Sequence, residues 1–274
     1  MITDSQVERW LREDLGHDDV TNQVPGETTG RLVAKERGIL AGLEAARAVF
    51  DYLDVDVLEA LESETAIEPG DEVLRVAGAT REVLRGERLA VNLVGHASGI
   101  ATRTRRAVDE ARAESDDVRI AATRKTTPGL RGLEKRAVVA GGGDTHRLDC
   151  SHMVMVKDNH VAELGLEDAV SRFRERVSFA TKVEVEVESP GDAPRAVEAG
   201  ADVVLLDNMS PPETREGVDL LADRRGVLTE ASGGIELEDV ADYAATGVDV
   251  ISMGSLTHSA PALDLSFRTG ERVA

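Results

Sequence analysis

The spacing of apolar residues divides this chain into two rhythms. Residues 5–15 (SQVERWLREDL) carry apolar positions at the spacing of a short amphipathic helix, and a polar loop, GHDDVTNQVPGETTG, follows. Over 31–41 and 55–85 apolar and polar residues alternate as in strands, with turn chemistry at Pro69-Gly70-Asp71, while 42–53 (GLEAARAVFDYL) is helical. The first hundred residues therefore read as α+β, with a twisted antiparallel sheet. A long helical pattern starts at Glu87, ERLAVNLVGHASGIATRTRRAVDEAR, with His96-Ala97-Ser98-Gly99 at its middle allowing close packing.

Beyond it the cadence changes. Short apolar runs recur at 119–122, 153–156, 183–187, 203–206, 227–229 and 249–253, and helical patterns fall at 134–140, 166–177, 192–199, 213–223 and 236–246. Alternating strand and helix predicts a parallel sheet covered by helices. Six strands, with room for a seventh, are fewer than the eight of a full β/α barrel, and an open doubly wound sheet explains the alternation equally well. The strand ends separate the two. Polar residues follow almost every run: Thr123-Arg124-Lys125, Lys157-Asp158-Asn159, Asp207-Asn208, Ser232-Gly233-Gly234 and Gly254-Ser255. They converge only if the strands encircle one mouth, whereas an open sheet brings together only those beside its switch point.

Charge sharpens this picture. The chain has 274 residues and a net charge of −20, so it is long enough for a large core and repels polyanions; nucleic acid and anionic membrane are excluded as main partners. Only five of its 32 basic residues are lysines, and four of the five lie between 125 and 182. Acidity with arginine in place of lysine predicts a cytosol of high salt. One cysteine, Cys150, leaves no internal disulfide, and no Cys/His spacing suits structural zinc. With no membrane-length apolar stretch and no secretory pattern at MITDSQVERW, the expected location is cytoplasmic.

Against that background Arg124, Lys125, Arg131, Arg147 and Lys157 gather on short loops between 123 and 160. Cations concentrated in an acidic chain predict an anionic ligand. Ser232-Gly233-Gly234 and Met253-Gly254-Ser255 follow the last two strands, the usual phosphate position of barrels, where glycines let backbone amides approach a ligand. Arg88, Arg124, Lys125, Arg147 and Lys157, with His146, would balance several carboxylates or phosphates. Glu186, inside VEVEV, and Asp207, at the end of VVLL, suit a divalent cation held through water and substrate oxygens, or a positive charge developing on a sugar. Glu184 and Glu188 share the direction of Glu186 along the strand and are read as structural ion pairs.

The segments ERLAVNLVGHASGIAT (87–102), TRKTTPGLR (123–131), GGGDTHRLDC (141–150), HMVMVKDNH (152–160), VEVEVES (183–189), LLDN (205–208), EASGGI (230–235) and MGSLTHS (253–259) together resemble the quinolinate phosphoribosyltransferases, also called nicotinate-nucleotide pyrophosphorylases (carboxylating). The resemblance runs from EDLGHDDVT to the tail. It implies an N-terminal α/β sandwich over 1–103, to which the tail 263–274 returns, and an incomplete seven-stranded β/α barrel over 104–262. It implies a homodimer in which one subunit's sandwich closes the other's barrel, with Arg88 acting across the interface. Thr123, Arg124, Lys125, His146, Arg147 and Lys157 match substrate-binding positions, Glu186 and Asp207 the acids near ribose and Mg2+, and Ser232, Gly233, Gly234 and Gly254 the phosphate loops. Lys125, Lys157, Glu186 and Asp207 are the implied catalytic set. The implied reaction transfers phosphoribose from 5-phosphoribosyl 1-pyrophosphate to quinolinate with loss of CO2, giving nicotinate mononucleotide for NAD biosynthesis.

Three rivals remain at this level. Lys157 after an apolar strand fits a Schiff-base aldolase barrel, and a sister phosphoribosyltransferase for another acidic ring would differ at only a few positions. PGDEVLRVAG (69–78) looks like half of a lipoyl or biotinyl carrier, but no lysine stands at its turn. His152, His160 and His258 read as hydrogen-bonded loop or core histidines, His17 as part of a solvated loop, and Cys150 as a small buried residue.

Overall fold

The computed structural model describes residues 2–270. In chain order its elements begin α1 (Asp4–Leu15), β1 (Glu27–Ala34), β2 (Gly38–Ile39), α2 (Leu43–Tyr52), β3 (Asp56–Ala60), β4 (Ala66–Ile67), β5 (Glu72–Ala79) and α3 (Thr80–Glu114). They continue β6 (Arg119–Ala122), α4 (Arg131–Ala140), β7 (Val154–Val156), α5 (Asp158–Leu164), α6 (Leu166–Arg174), β8 (Val183–Val187) and α7 (Ala193–Ala199). The last are β9 (Val203–Asp207), α8 (Pro211–Leu220), β10 (Leu228–Ser232), α9 (Val240–Ala244), β11 (Val250–Met253), α10 (Ser255–His258) and β12 (Leu265–Thr269). Two compact units result: one comprises residues up to Arg103, Gly132–Gly141 and those from Ala260 on, the other Thr104–Arg131 and Gly142–Ser259. The partition differs from the boundary read in the sequence, because α4 groups with the first unit.

The first unit is an antiparallel sheet in the order β12-β1-β5-β3, with a small β2-β4 pair. Alternation in β1 and β5 sets Leu32, Ala34, Leu74 and Val76 on one face, where they pack with Phe50 of α2 and Val83, Ala90 and Val94 of α3. Of the tail expected to return to this unit, residues 263–270 contain β12, which pairs with β1, and 271–274 lie outside the described residues. Close approach decides the residues at the middle of α3. The Ser98 hydroxyl accepts the Ala41 N–H at 3.0 Å, and a Cβ on Gly99 would stand 2.0 Å from the Pro261 carbonyl oxygen. The helix begins at Thr80, not Glu87. Alternation inherited from β5 hid the start, but Val83 and Gly86 already follow the helical spacing, and a Cβ at Gly86 would meet the Phe50 ring at 2.5 Å.

The second unit is a parallel sheet ordered β6-β11-β10-β9-β8-β7 and covered by helices. Its first and last strands in sequence order, β6 and β11, are hydrogen-bonded neighbours, as a β/α barrel requires. The seventh strand is reduced to one bridge, in which Asp144 pairs parallel with Ala121 beside β6. Pairing between that bridge and β7 is not seen among the described residues, so the barrel is open at this seam. Glycines at 141–143 explain the reduction, since glycine is a poor strand former. Val183, Val185, Val187, Val204 and Leu206 point outward into a cluster with α6 and α7 residues. The intervening residues of those strands face the other side, and Glu184, Glu186 and Asp207 among them are acidic.

Candidate active site

Residues at or just beyond the C-terminal ends of all six strands line one cavity of about 490 Å3. Thr123, Arg124 and Lys125 come from β6, Met155 and Lys157 from β7, Glu186 from β8, Asp207 from β9, Ser232 and the following glycines from β10, and Gly254 from β11. Because β6 and β7 are the two edges of the sheet, a shared cavity means that the sheet curls around it. The cations Arg124, Arg147 and Lys157 therefore converge. Arg88 is the exception: it is an exposed position of α3 in the first unit and does not line the cavity. Arg131 also stays out, its Nε donating to the Thr126 hydroxyl at 3.0 Å.

Strand alternation builds the cavity in layers. Lys157, Glu186, Asp207 and Ser232 are the last inward residues of their strands. Two positions earlier stand Met155, Leu205 and Glu230, which line the cavity more deeply, and Glu184, which is fully buried and does not line it. At the rim the Lys157 ammonium donates to Glu186, and the Asn208 amide donates to Asp207 at 2.6 Å. Lys157 thus stands beside a carboxylate and among arginines, the setting of a substrate-binding cation more than of a desolvated amine nucleophile. Burial and the neighbouring Arg124 both push the Arg147 guanidinium below its ordinary pKa, a strain that an anion would relieve.

The glycine turns are structural necessities. Gly233 has φ +102°, and a Cβ there would lie 2.3 Å from the Asn208 side-chain oxygen. At Gly254 a Cβ would meet the Lys125 stem at 2.9 Å and the His258 ring at 3.2 Å. Gly254 thereby lets Lys125 and His258 reach the same wall, and the Thr257 hydroxyl fixes the loop by donating to the Lys125 carbonyl at 2.7 Å.

Two features escaped the sequence. His258 lines the cavity, although it reads in the sequence as an ordinary loop histidine. Its spacing from Gly254, one helical turn, was the available signal. Glu230 carries no signal in the sequence, since one acid inside VLTEA looks like any surface acid on a strand; the structure buries it and sets it 2.9 Å from His146 Nε2. Glu184 is fully buried and 3.7 Å from the same nitrogen, in keeping with an ion pair. Burial alone lowers the His146 pKa, but the nearby Glu184 carboxylate and the hydrogen bond to Glu230 outweigh it and lift the value to about 10. His160 is local: its Nδ1 accepts the Lys157 N–H at 3.0 Å and its ring meets Phe173 edge-on. His152 likewise accepts the Leu148 N–H, and Cys150 is exposed, not buried as the sequence implied.

Comparison with known proteins agrees with this arrangement. Residues 19–98 match the family model of the quinolinate phosphoribosyl transferase N-terminal domain, and residues 100–268 that of its C-terminal domain. A probable nicotinate-nucleotide pyrophosphorylase [carboxylating] of Methanothermobacter thermautotrophicus is 47% identical, covering 95% of this chain and 96% of its own. The human nicotinate-nucleotide pyrophosphorylase [carboxylating] is 42% identical over 96% of this chain and 90% of its own. Among solved structures, NadC from Streptococcus pyogenes superposes with a TM-score of 0.90 at 36% identity, with 98% of each chain covered. With two consecutive domain models and full-length relatives in agreement with the cavity at the strand ends, the chain belongs to the quinolinate phosphoribosyl transferase family.

Proposed function

We propose that this chain transfers the phosphoribosyl group of 5-phosphoribosyl 1-pyrophosphate to quinolinate, releasing pyrophosphate and CO2 and forming nicotinate mononucleotide. The observation that carries the reading is the convergence of Arg124, Lys125, Arg147 and Lys157 with the Gly233 and Gly254 turns on one cavity, in a chain of net charge −20. Two polyanions must lie side by side for this reaction, and only a dense cationic pocket compensates their charge.

Arg124 and Arg147 are suited to pair with the carboxylates of quinolinate, and Lys157, oriented by Glu186, adds a point charge. The Gly233 and Gly254 loops offer backbone amides to phosphate, with Lys125 and His258 on the same wall. The pyridine nitrogen forms the bond to C1 of the ribose as the C1–oxygen bond breaks and its electron pair leaves with pyrophosphate. Glu186 or Asp207 stabilises the positive charge that develops on the sugar. The bond between the ring carbon next to this now cationic nitrogen and its carboxylate breaks, CO2 departs, and the electron pair stays on that carbon, stabilised by the adjacent positive charge, until it takes a proton. The protein's part is mainly positioning. Glu186 and Asp207 end adjacent strands and offer the hard oxygen donors that suit Mg2+ bound partly through water. Mg2+, when bound, supplies charge neutralisation for the departing pyrophosphate.

The reading extends to a cytoplasmic homodimer in a high-salt cytosol, with Arg88 of one subunit serving the partner's cavity. Among the described residues no helix is long and apolar enough to cross a membrane. The test is incubation with quinolinate, 5-phosphoribosyl 1-pyrophosphate and Mg2+, following nicotinate mononucleotide and CO2. Product without CO2 release from quinolinate would point to another acidic ring as acceptor. Arg88→Ala and Lys157→Ala, each inactive alone, should partly recover when mixed, and no recovery would refute the shared site.

A further inference from the structure

Against His146, which lines the cavity, β8 and β10 each bury a glutamate, and the reaction as described has no use for either acid. Glu184 is fully buried and Glu230 is 1% exposed. Both Glu184 oxygens and Oε1 of Glu230 lack a hydrogen-bond partner. Neighbouring carboxylates in an apolar interior weaken a fold, so stability does not account for this pair. What they face is His146. Its Nε2 is 2.9 Å from Glu230 Oε2 and 3.7 Å from Glu184 Oε1. Its backbone is left-handed at φ +50°, and its N–H donates to Asp144 Oδ1 at 2.7 Å. A non-glycine residue at such a φ persists where its surroundings hold it. The ring is therefore fixed from both ends, by Asp144 at the backbone and by the two acids at Nε2.

We propose that Glu184 and Glu230 are positioning residues that clamp His146 as a cation of fixed orientation in the wall of the acceptor pocket, and that this clamp selects a pyridine bearing two carboxylates. The proposal rests on the function assigned above. The ring offers two N–H donors only as imidazolium. With Nε2–H committed to the glutamates, Nδ1–H is the donor left for a ligand oxygen. The charged groups facing His146 are Glu184 from β8, Glu230 from β10, and Arg147 and Asp144 from its own loop. Without the acids, Arg147 and Arg124 beyond it would disfavour a third positive charge at this place. The glutamates make three adjacent cations tolerable, and a second carboxylate on the substrate can then be matched. A metal ion held by the same three side chains would have to displace the proton on Nε2.

The experiment uses the full-length enzyme with Glu230→Gln and Glu184→Gln, which keep shape and remove charge. Affinities for quinolinate and for 5-phosphoribosyl 1-pyrophosphate are measured separately by calorimetry, and the His146 ring is followed by NMR in the absence of either. Wild type should show both ring nitrogens protonated near neutral pH. Glu230→Gln should weaken quinolinate binding about tenfold or more, the loss expected for one charged hydrogen bond, and leave donor affinity unchanged. In a His146→Ala background the Glu230→Gln effect should vanish. Equal losses for both substrates, an imidazolium that survives in both variants, or a stoichiometric divalent metal at the trio would overturn the proposal. If wild type binds no quinolinate, the assigned reaction fails by itself, and the ring protonation still decides whether the clamp exists. Should a variant fold poorly, the wild-type NMR result alone settles that point.

Discussion

In the first unit the inward faces of β1 and β5 carry Leu32, Ala34, Leu74 and Val76, and they close on Phe50. In the second unit the apolar alternation of β8 and β9 faces the helices, and the enclosed side of the sheet holds Glu184, Glu186, Leu205 and Asp207, with Glu230 of β10. The two sheets use the same two-residue period. One spends its enclosed face on burial; the other puts stability outside and leaves the enclosed face for chemistry. The difference teaches where to look for function in an alternating strand: on the face whose polar residues a folding argument does not explain.

The largest test of that contrast is a pair of truncations. Phe50→Ala removes a fully buried ring from the first core and should lower unfolding free energy by about 3–5 kcal/mol in chemical denaturation. Glu184→Leu, at an equally buried site, should leave stability within about 1 kcal/mol of wild type or raise it, because Glu230 still pairs with His146. Activity should follow the opposite order, with Glu184→Leu the more damaged enzyme. A large stability loss at Glu184 would mean that the buried acids are part of the structural core.

A smaller effect is expected from the two adjacent glycines after β10. Gly233→Ala combines φ +102° with a Cβ 2.3 Å from Asn208, whereas Gly234→Ala at φ +64° meets only open space. Gly234→Ala should cost roughly 1 kcal/mol of backbone strain. Gly233→Ala must also displace Asn208 and with it the wall beside Asp207, so KM for the phosphoribosyl donor should rise clearly more than for Gly234→Ala. Equal KM values would show that the turn does not shape the donor site.

Acid and alkali should probe the two units differently. The Arg85 guanidinium at 2.7 Å, together with backbone N–H groups of Asn22 and Thr21, holds the Asp19 carboxyl well below the usual carboxylate range. Its contribution is present above the ordinary value of 3.8 and is lost as pH falls toward the depressed folded value. His146 is raised, so its contribution is complete below 6.5 and is lost as pH climbs through about 10. Melting temperature against pH should therefore lose part of its acid limb in Asp19→Asn and part of its alkaline limb in His146→Gln. The single tryptophan, Trp10 in α1, gives a fluorescence readout within the first unit.

How much of this was readable in advance follows from the range of the interactions. Rim residues announce themselves because strand, polar end and helix are adjacent in sequence: Lys157 after MVMV and Asp207 after VVLL could hardly be missed. The buried acids could not be read in the same way. That Glu184 and Glu230 meet at His146 depends on strand curvature and on loop 141–150 folding inward, over separations of 38 and 84 residues. The α3 start was hidden because β5 passes into it directly, from Ala79 to Thr80 with no loop between, and the periods of strand and helix overlap at Val83. The seventh strand failed because one bridging residue, Asp144, leaves no periodic signature.

The smallest expected effect concerns the surface that both units share in composition. With 52 acidic against 32 Lys and Arg residues, like-charge repulsion opposes the compact state. Salt shortens its reach from about 10 Å at 0.1 M to about 3 Å at 1 M. The same salt weakens surface ion pairs, but these are exposed: Arg12–Glu8 leaves 72% and 52% of its side chains in solvent, and Arg37–Glu68 leaves 78% and 56%. Pairs of this kind are worth roughly 0–1 kcal/mol each, so the relief of repulsion should win. Melting temperature should rise by a few degrees between low and molar NaCl, by a similar amount in Glu184→Leu and in wild type, since the buried acids are little screened. A fall in melting temperature with salt would mean that the exposed pairs, not the net charge, govern this surface.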